Sequence, residues 1–374
     1  MRLSPRRLSA WIAAAALVAG GGLLLTQFRG TGTAAGDPAP SVLERPVETK
    51  SFIFGLDYAD ALPTLSGTAL GQRLDDSDEV GAGWIRVDLA WYRIEPEAGH
   101  WNWSSFDRTV SYASARGLKV LAILDQPPAW ARQAACASDL WCPPADDAAF
   151  AAFAAKAAQR YSPNVVGAWE VWNEENMAHY WPSGADPAAY AALLKSTATA
   201  VRAVRPNAEL ILGGMAVTDS SDANLSAHDF LLGVAQADAL QYVDAIGYHP
   251  YSFPQMPDGA SAFSDIGVGP DSLEAVLEQF DATGRAIWIT EAGASVPSTA
   301  AAGSSQLADA EALQAEYATA LVAAATTNPD VKALFWFSDI DLPGQQLSYG
   351  LRRADGTARP SFTALENAIS AYEH

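Results

Sequence analysis

"VGAWEVWNEEN", residues 166–176, begins as an apolar run and ends in a knot of carboxylates and amides. An extended segment that is apolar on both faces is buried on both faces. That is the signature of a parallel sheet covered by helices rather than of an antiparallel sheet with one wet side. The abrupt change at Asn173 puts polar groups at the C-terminal end of such a strand.

The same grammar recurs along the chain. Short β-rich apolar runs stand at 52–57, 84–88, 119–124, 209–214, 244–248, 286–291 and 333–338, which with 166–172 makes eight. Between them lie helical candidates at 104–117, 146–161, 186–206, 271–284, 309–327 and 361–372. The first of these starts with a Ser cap at Ser104, and the third has Asp186 as cap and Pro187 at its first position, both start signals for a helix. The segments after the first and fifth runs read as weaker helices. Eight βα units predict closure into a (β/α)8 TIM barrel. The rival, an open doubly wound sheet, usually begins with a glycine-rich phosphate loop, and "FGLDYAD" (54–60) is not one.

In such a barrel the site lies where the strands end, and here those ends are polar. The runs close on Asp57-Tyr58, Arg86 and Asp88 followed by Trp91, Asp125-Gln126, Asn173 to Asn176, Tyr248 to Tyr251, Glu291, and Trp336 with Asp339. Singly each has a plain reading. Arg86 and Asp88 suit a structural ion pair, His249 a loop histidine, Trp336 packing, and Glu174 a helix cap. Their common location at one mouth is the signal. Trp101, Trp103, Trp130, Trp141, Trp181 and Trp336 fall in or near the expected mouth loops, whereas Trp84, Trp169 and Trp288 lie in strands and read as structural.

Neither a GxSxG nucleophile elbow nor an HExxH metal motif is present, and no cysteine–histidine cluster is visible, so acyl transfer and metal chemistry have little support. No cofactor and no metal are expected. Glycosidic cleavage instead needs two carboxyl groups across one bond, one protonated and one ionised. Glu174 and Glu291, on the fourth and seventh runs, would face each other across the ring.

These residues resemble the retaining glycoside hydrolases of clan A, nearest to family 39 with family 5-like features, over roughly residues 51–374. The resemblance rests on Asn173-Glu174 after the fourth strand and Glu291 in "WITEAG", with Arg86 on the second strand, His249-Pro250-Tyr251 on the sixth and Trp336 on the eighth. "YGLRRADGTARPSF" (349–362) resembles the clan's closing hairpin and last helix. It implies Glu174 as acid/base and Glu291 as nucleophile, with carboxyls about 5–5.5 Å apart. It also implies Asn173, Arg86, His249, Tyr251 and Trp336 as substrate-binding residues and a β-linked poly- or oligosaccharide as substrate, while the aromatic-rich loops suggest several subsites and hence internal cleavage. Family 5 usually carries a His after strand three, where this chain has Asp125 and Gln126; that departure favours family 39. A non-catalytic carbohydrate-binding barrel and a transglycosylase of the same clan are the alternatives.

The rest of the chain sets the context. "MRLSPRR" followed by the apolar 8–25 and small residues to Ala35 reads as a signal peptide or membrane anchor over 1–35, with a linker over 36–50 and the barrel over 51–374. A secreted or extracytoplasmic monomer is expected, touching membrane only through that segment. Cys136 and Cys142, the only two cysteines, are expected to form a disulfide in such a compartment. The formal net charge of −20 argues against nucleic acid and anionic surfaces as partners.

Overall fold

All eight apolar runs form strands in a computed structural model that describes residues 52–259, 261–267, 269–297, 303–342 and 347–374. The expected leader (1–35) and linker (36–50) lie outside the described residues. The strands are β1 (Ile53–Asp57), β2 (Trp84–Ala90), β3 (Lys119–Asp125), β4 (Val166–Asn173), β5 (Glu209–Ala216), β6 (Ala245–His249), β7 (Ala286–Ala292) and β8 (Val331–Phe337). Each pairs in parallel with the next, and β8 returns to β1 to close the barrel.

Helices α1 (Gly67–Glu79), α2 (Ser104–Ala115), α3 (Asp147–Arg160), α4 (Pro187–Val204), α5 (Ala227–Gln236), α6 (Leu273–Gln279), α7 (Ser305–Thr327) and α8 (Pro360–Glu373) cover it. The segment after the first strand, read as weak, is the regular helix α1. Its buried Leu70 and Leu74 supply the tertiary packing that a weak local pattern does not advertise. Ser104 is not the cap of α2. Asn102 takes that work, its Oδ1 accepting from the backbone N–H and the hydroxyl of Ser104. Asp186 does cap α4, accepting from Ala188 and Ala189 N–H at 3.1 and 3.0 Å. The expected closing hairpin is present before α8, with Arg352 bridged antiparallel to Ala358. Gly356 turns it in the left-handed region, at φ +85°, where glycine pays no steric penalty.

Inward side chains alternate along each strand and stack in layers. The lower interior is apolar: Leu121, Ala168, Ile211, Ala245, Trp288, Ala333 and Phe335 form one cluster, with Trp84 against it. Phe335 fills the centre so fully that a Cβ on Gly55 would lie 2.2 Å from its ring. Two residues further along the same strands stand Asp57, Arg86, Glu170, Thr290 and Phe337. There the barrel interior changes from hydrocarbon to charge.

Candidate active site

The end of β4 departs from an extended strand. Trp172 has φ +76° and Glu174 φ +49°, left-handed values that cost a bulky residue on the order of 1–3 kcal/mol. Burial offsets this: Trp172 packs on Phe150 and Trp181 of the outer layer, and its indole N–H donates to Tyr180 O at 2.8 Å. The turn breaks the simple alternation. Trp172 swings outward and Asn173 joins the side of Glu170. Glu174 follows into the mouth, its backbone N–H donating to Gly214 O.

Beneath the mouth sits Arg86, 1% exposed. Its Nε donates to Glu170 at 2.6 Å, Nη1 to Asp57 at 2.7 Å and to Glu291 at 3.1 Å, and Nη2 to Asn173 Oδ1 at 2.7 Å. One guanidinium thus faces three carboxyls, which a planar fork with five N–H donors can do. Arg86 is also the partner of Glu170, whose other oxygen accepts from Gly214 N–H at 2.9 Å. Expected at the substrate surface, Arg86 instead acts from below, because its donors are already committed to the carboxyls and Asn173.

Glu174 and Glu291 are brought together by His249. Its Nδ1 lies 3.1 Å from Glu174 Oε1 and 3.9 Å from Glu291 Oε2, and its Nε2 is 3.0 Å from Thr290 Oγ1. His249 has no exposed surface, so like Arg86 it stands behind the carboxyls rather than against a substrate. Burial first, and then the charge of Arg86, hold its pKa well below the usual imidazole range. Tyr251 donates to Glu291 Oε1 at 2.5 Å.

Burial pushes the Glu174 carboxyl up to about 8, against the pull of Arg86 and the Tyr180 hydroxyl. Burial and then Asp57 push Glu291 up as well, with Arg86 and Tyr251 opposing. Two carboxyls this close titrate as a pair.

Several expected residues fall elsewhere. Trp336, expected as a stacking surface, is 1% exposed and packs in the outer layer. Its neighbour Phe337 is the half-buried inward residue, in register with Asp57 and against Tyr349. Trp101 and Trp103 stack on each other and Trp103 on Phe153, and Trp181 is buried; all three are packing. Glu175 is buried beside Tyr190, whose hydroxyl donates to Val171 O and accepts from Gly213 N–H. Burial drives the Glu175 carboxyl well upward, toward its neutral form. Asp125 is inward and fully buried, with no hydrogen-bond partner on either oxygen, while Gln126 reaches Asp88 at 3.4 Å. Tyr180 went unnoticed in the sequence, although it lies only six residues past Glu174.

A closed parallel barrel with two carboxyls held over a buried arginine at the ends of β4 and β7 is the architecture of a clan A glycoside hydrolase. Residues 63–339 match the family described as Cellulase (glycosyl hydrolase family 5), and the chain belongs to that family. The match holds although Asp125-Gln126 replace the expected histidine. The fold is similar to a family 39 glycoside hydrolase from Bacteroides cellulosilyticus WH2, at TM-score 0.65 and 22% identity, over 88% of this chain and 66% of that one. It is also similar to GH5_18 from Streptomyces cattleya in complex with GlcNAc, at TM-score 0.64 and 17% identity, over 87% and 81% of the two chains. Xylanase 10B from Thermotoga petrophila RKU-1 in complex with xylobiose aligns at TM-score 0.59 and 17% identity, over 87% and 95%. At these identities the likeness is one of fold. No curated protein matches the chain.

Proposed function

We propose that this glycoside hydrolase cleaves β-linked saccharide chains internally and with retention of configuration, by double displacement. The observation that carries the reading is the single imidazole nitrogen shared by Glu174 and Glu291, at 3.1 and 3.9 Å. Such closeness is in keeping with the roughly 5–5.5 Å carboxyl separation of retaining enzymes.

Although burial pushes both carboxyls up, Glu291 is the one assigned the negative charge of the pair. It accepts from both Arg86 and Tyr251, and charge-assisted donors favour the ionised form. It attacks the anomeric carbon as the bond to the leaving oxygen breaks. Glu174, its carboxyl raised to about 8, gives its proton to that oxygen. It then takes one from the water that releases the sugar from Glu291. A neutral imidazole has one donor and one acceptor nitrogen. With Nδ1 as the donor to Glu174 Oε1 and Nε2 accepting from the Thr290 hydroxyl, His249 orients the carboxyl in either protonation state without changing tautomer. Asn173 Oδ1 is taken by Arg86, which leaves the amide nitrogen as the donor for a sugar hydroxyl.

Export is part of this reading. The Cys136–Cys142 disulfide supports an oxidising compartment, as does the basic and apolar N-terminal sequence.

The test is hydrolysis of xylo-, manno- and cello-oligosaccharides. Glu291→Gln should lose at least about a thousandfold in kcat, and NMR of the first product should show the substrate's own anomeric configuration. The kcat/KM profile should fall on its alkaline side near pH 8, as Glu174 loses its proton. Full activity in Glu291→Gln, or an inverted first product, would overturn the assignment.

A further inference from the structure

We propose that the disulfide-closed loop between β3 and α3 builds the subsite for the sugar on the leaving-group side, with Trp141 as its apolar wall and the Tyr180 hydroxyl as its polar contact. This rests on the assignment of Glu174 as the acid, because the leaving group is whatever that acid protonates.

The loop is built to hold a shape. Arg132 Nε donates to Pro127 O at 2.7 Å and Nη1 to Ala137 O at 3.0 Å. Arg132 also bridges antiparallel to Pro144, which pinches the base of the loop. Within it the Cys136–Cys142 disulfide closes a short ring. Trp141 lies inside that ring, its backbone N–H donating to Asp139 Oδ1 at 2.9 Å. Cys142 is fully buried while Trp141 is only half-buried. None of these residues belongs to a barrel strand, so closing the barrel does not require them.

What the ring of Trp141 meets is the site. It lies edge-to-face on Tyr180, with ring centroids 4.7 Å apart. Tyr180 sits on the turn that follows Glu174: Met177 N–H donates to Glu174 O, and Tyr180 N–H to Met177 O. Its hydroxyl is near enough to the Glu174 carboxyl to draw that carboxyl's pKa down, and it feels the charges of Glu174 and Glu291. Trp130, 44% exposed, stands on the same loop with its indole N–H tied to Glu95 O at 3.1 Å. A partly wet indole packed against the ring of a tyrosine offers what a sugar ring needs, a flat surface for its C–H face and a hydroxyl as polar partner. Its position beside Glu174 fixes which sugar: the one that departs.

The test compares two substrates per sugar series, the tetraose and the β-biosyl fluoride, in the xylo, manno and cello series. Fluoride leaves without occupying a leaving-group subsite. The readout is the ratio of kcat/KM on the tetraose to kcat/KM on the fluoride. Trp141→Ala should lower it about tenfold, the double variant Cys136→Ser/Cys142→Ser should lower it similarly, and Trp141→Tyr should recover most of it. An unchanged ratio, or equal losses on both substrates as expected of a merely supporting loop, would overturn the proposal. Glu291→Gln is assayed alongside. Fluoride cleavage there sinks the assigned chemistry, while an inactive Glu291→Gln with an unchanged ratio in Trp141→Ala sinks only the role of the loop. A wild-type enzyme that cleaves no substrate of the set sinks both.

Discussion

Two successive layers inside the same barrel could hardly differ more. The lower one, around Trp288 and Phe335, is built of apolar and aromatic side chains with no charged group. The next one up holds Asp57, Arg86 and Glu170, all buried, with Glu291 and Glu174 just above. The strands are the same and the alternation is the same; only the residue types change. Burying apolar surface stabilises by roughly 25 cal/mol per Å², whereas a buried charge needs a partner to break even. The lower layer is thus a reserve of stability, and the upper layer draws on it to keep charges out of water where they can act.

Removing Arg86 tests the contrast most severely. Arg86→Met keeps the bulk but leaves Asp57, Glu170 and Glu291 without their common cation. Breaking a buried pair by deleting one partner typically costs about 3–5 kcal/mol, and denaturant unfolding should show a loss of that size. Activity should fall further, by at least about a thousandfold in kcat/KM, because Glu291 loses a donor and gains a proton. A variant of near wild-type activity would mean that the charged layer is ornament.

The mirror experiment is Phe335→Ala in the lower layer. A buried Phe→Ala change costs on the order of 3–5 kcal/mol, comparable to Arg86→Met in stability. Here the folded fraction should keep its kcat, since Phe335 touches none of the reacting groups. A matching collapse of kcat would show that the floor also positions the mouth.

The same contrast explains what the sequence revealed. Strand number, order and boundaries to within a few residues were legible, because they depend on apolar period and on punctuation by Gly, Pro and caps. That Glu174 and Glu291 meet at one mouth was legible through their place at strand ends and a family resemblance. Individual side-chain directions were not. The left-handed turns at Trp172 and Glu174 reverse the alternation at the decisive residues, and no propensity announces them. Trp336 and Phe337 are adjacent aromatics, and only the register against Asp57 says which one faces in. The partner of Glu170 was invisible because Arg86 is 84 residues away in the chain.

Asp125 gives the smallest effect and the finest test of how the upper layer is balanced. It points inward on β3, fully buried, with neither oxygen hydrogen-bonded. Burial first, then the charge of Asp88, push its pKa well above the usual carboxylate range. A carboxyl whose folded pKa is raised binds its proton more tightly folded than unfolded. Ionising it therefore opposes folding. Stability is undiminished below the unfolded value near 3.9 and drains away as pH climbs toward the folded value. Asp125→Asn cannot ionise, and its amide gains donors that Asp88 can accept. It should be more stable than wild type at pH 7, and the gain should vanish near pH 4. Thermal melts of both proteins from pH 4 to 8 decide it. A gain that does not change with pH would trace to packing, and no gain at all would show that Arg86 already neutralises this edge of the mouth.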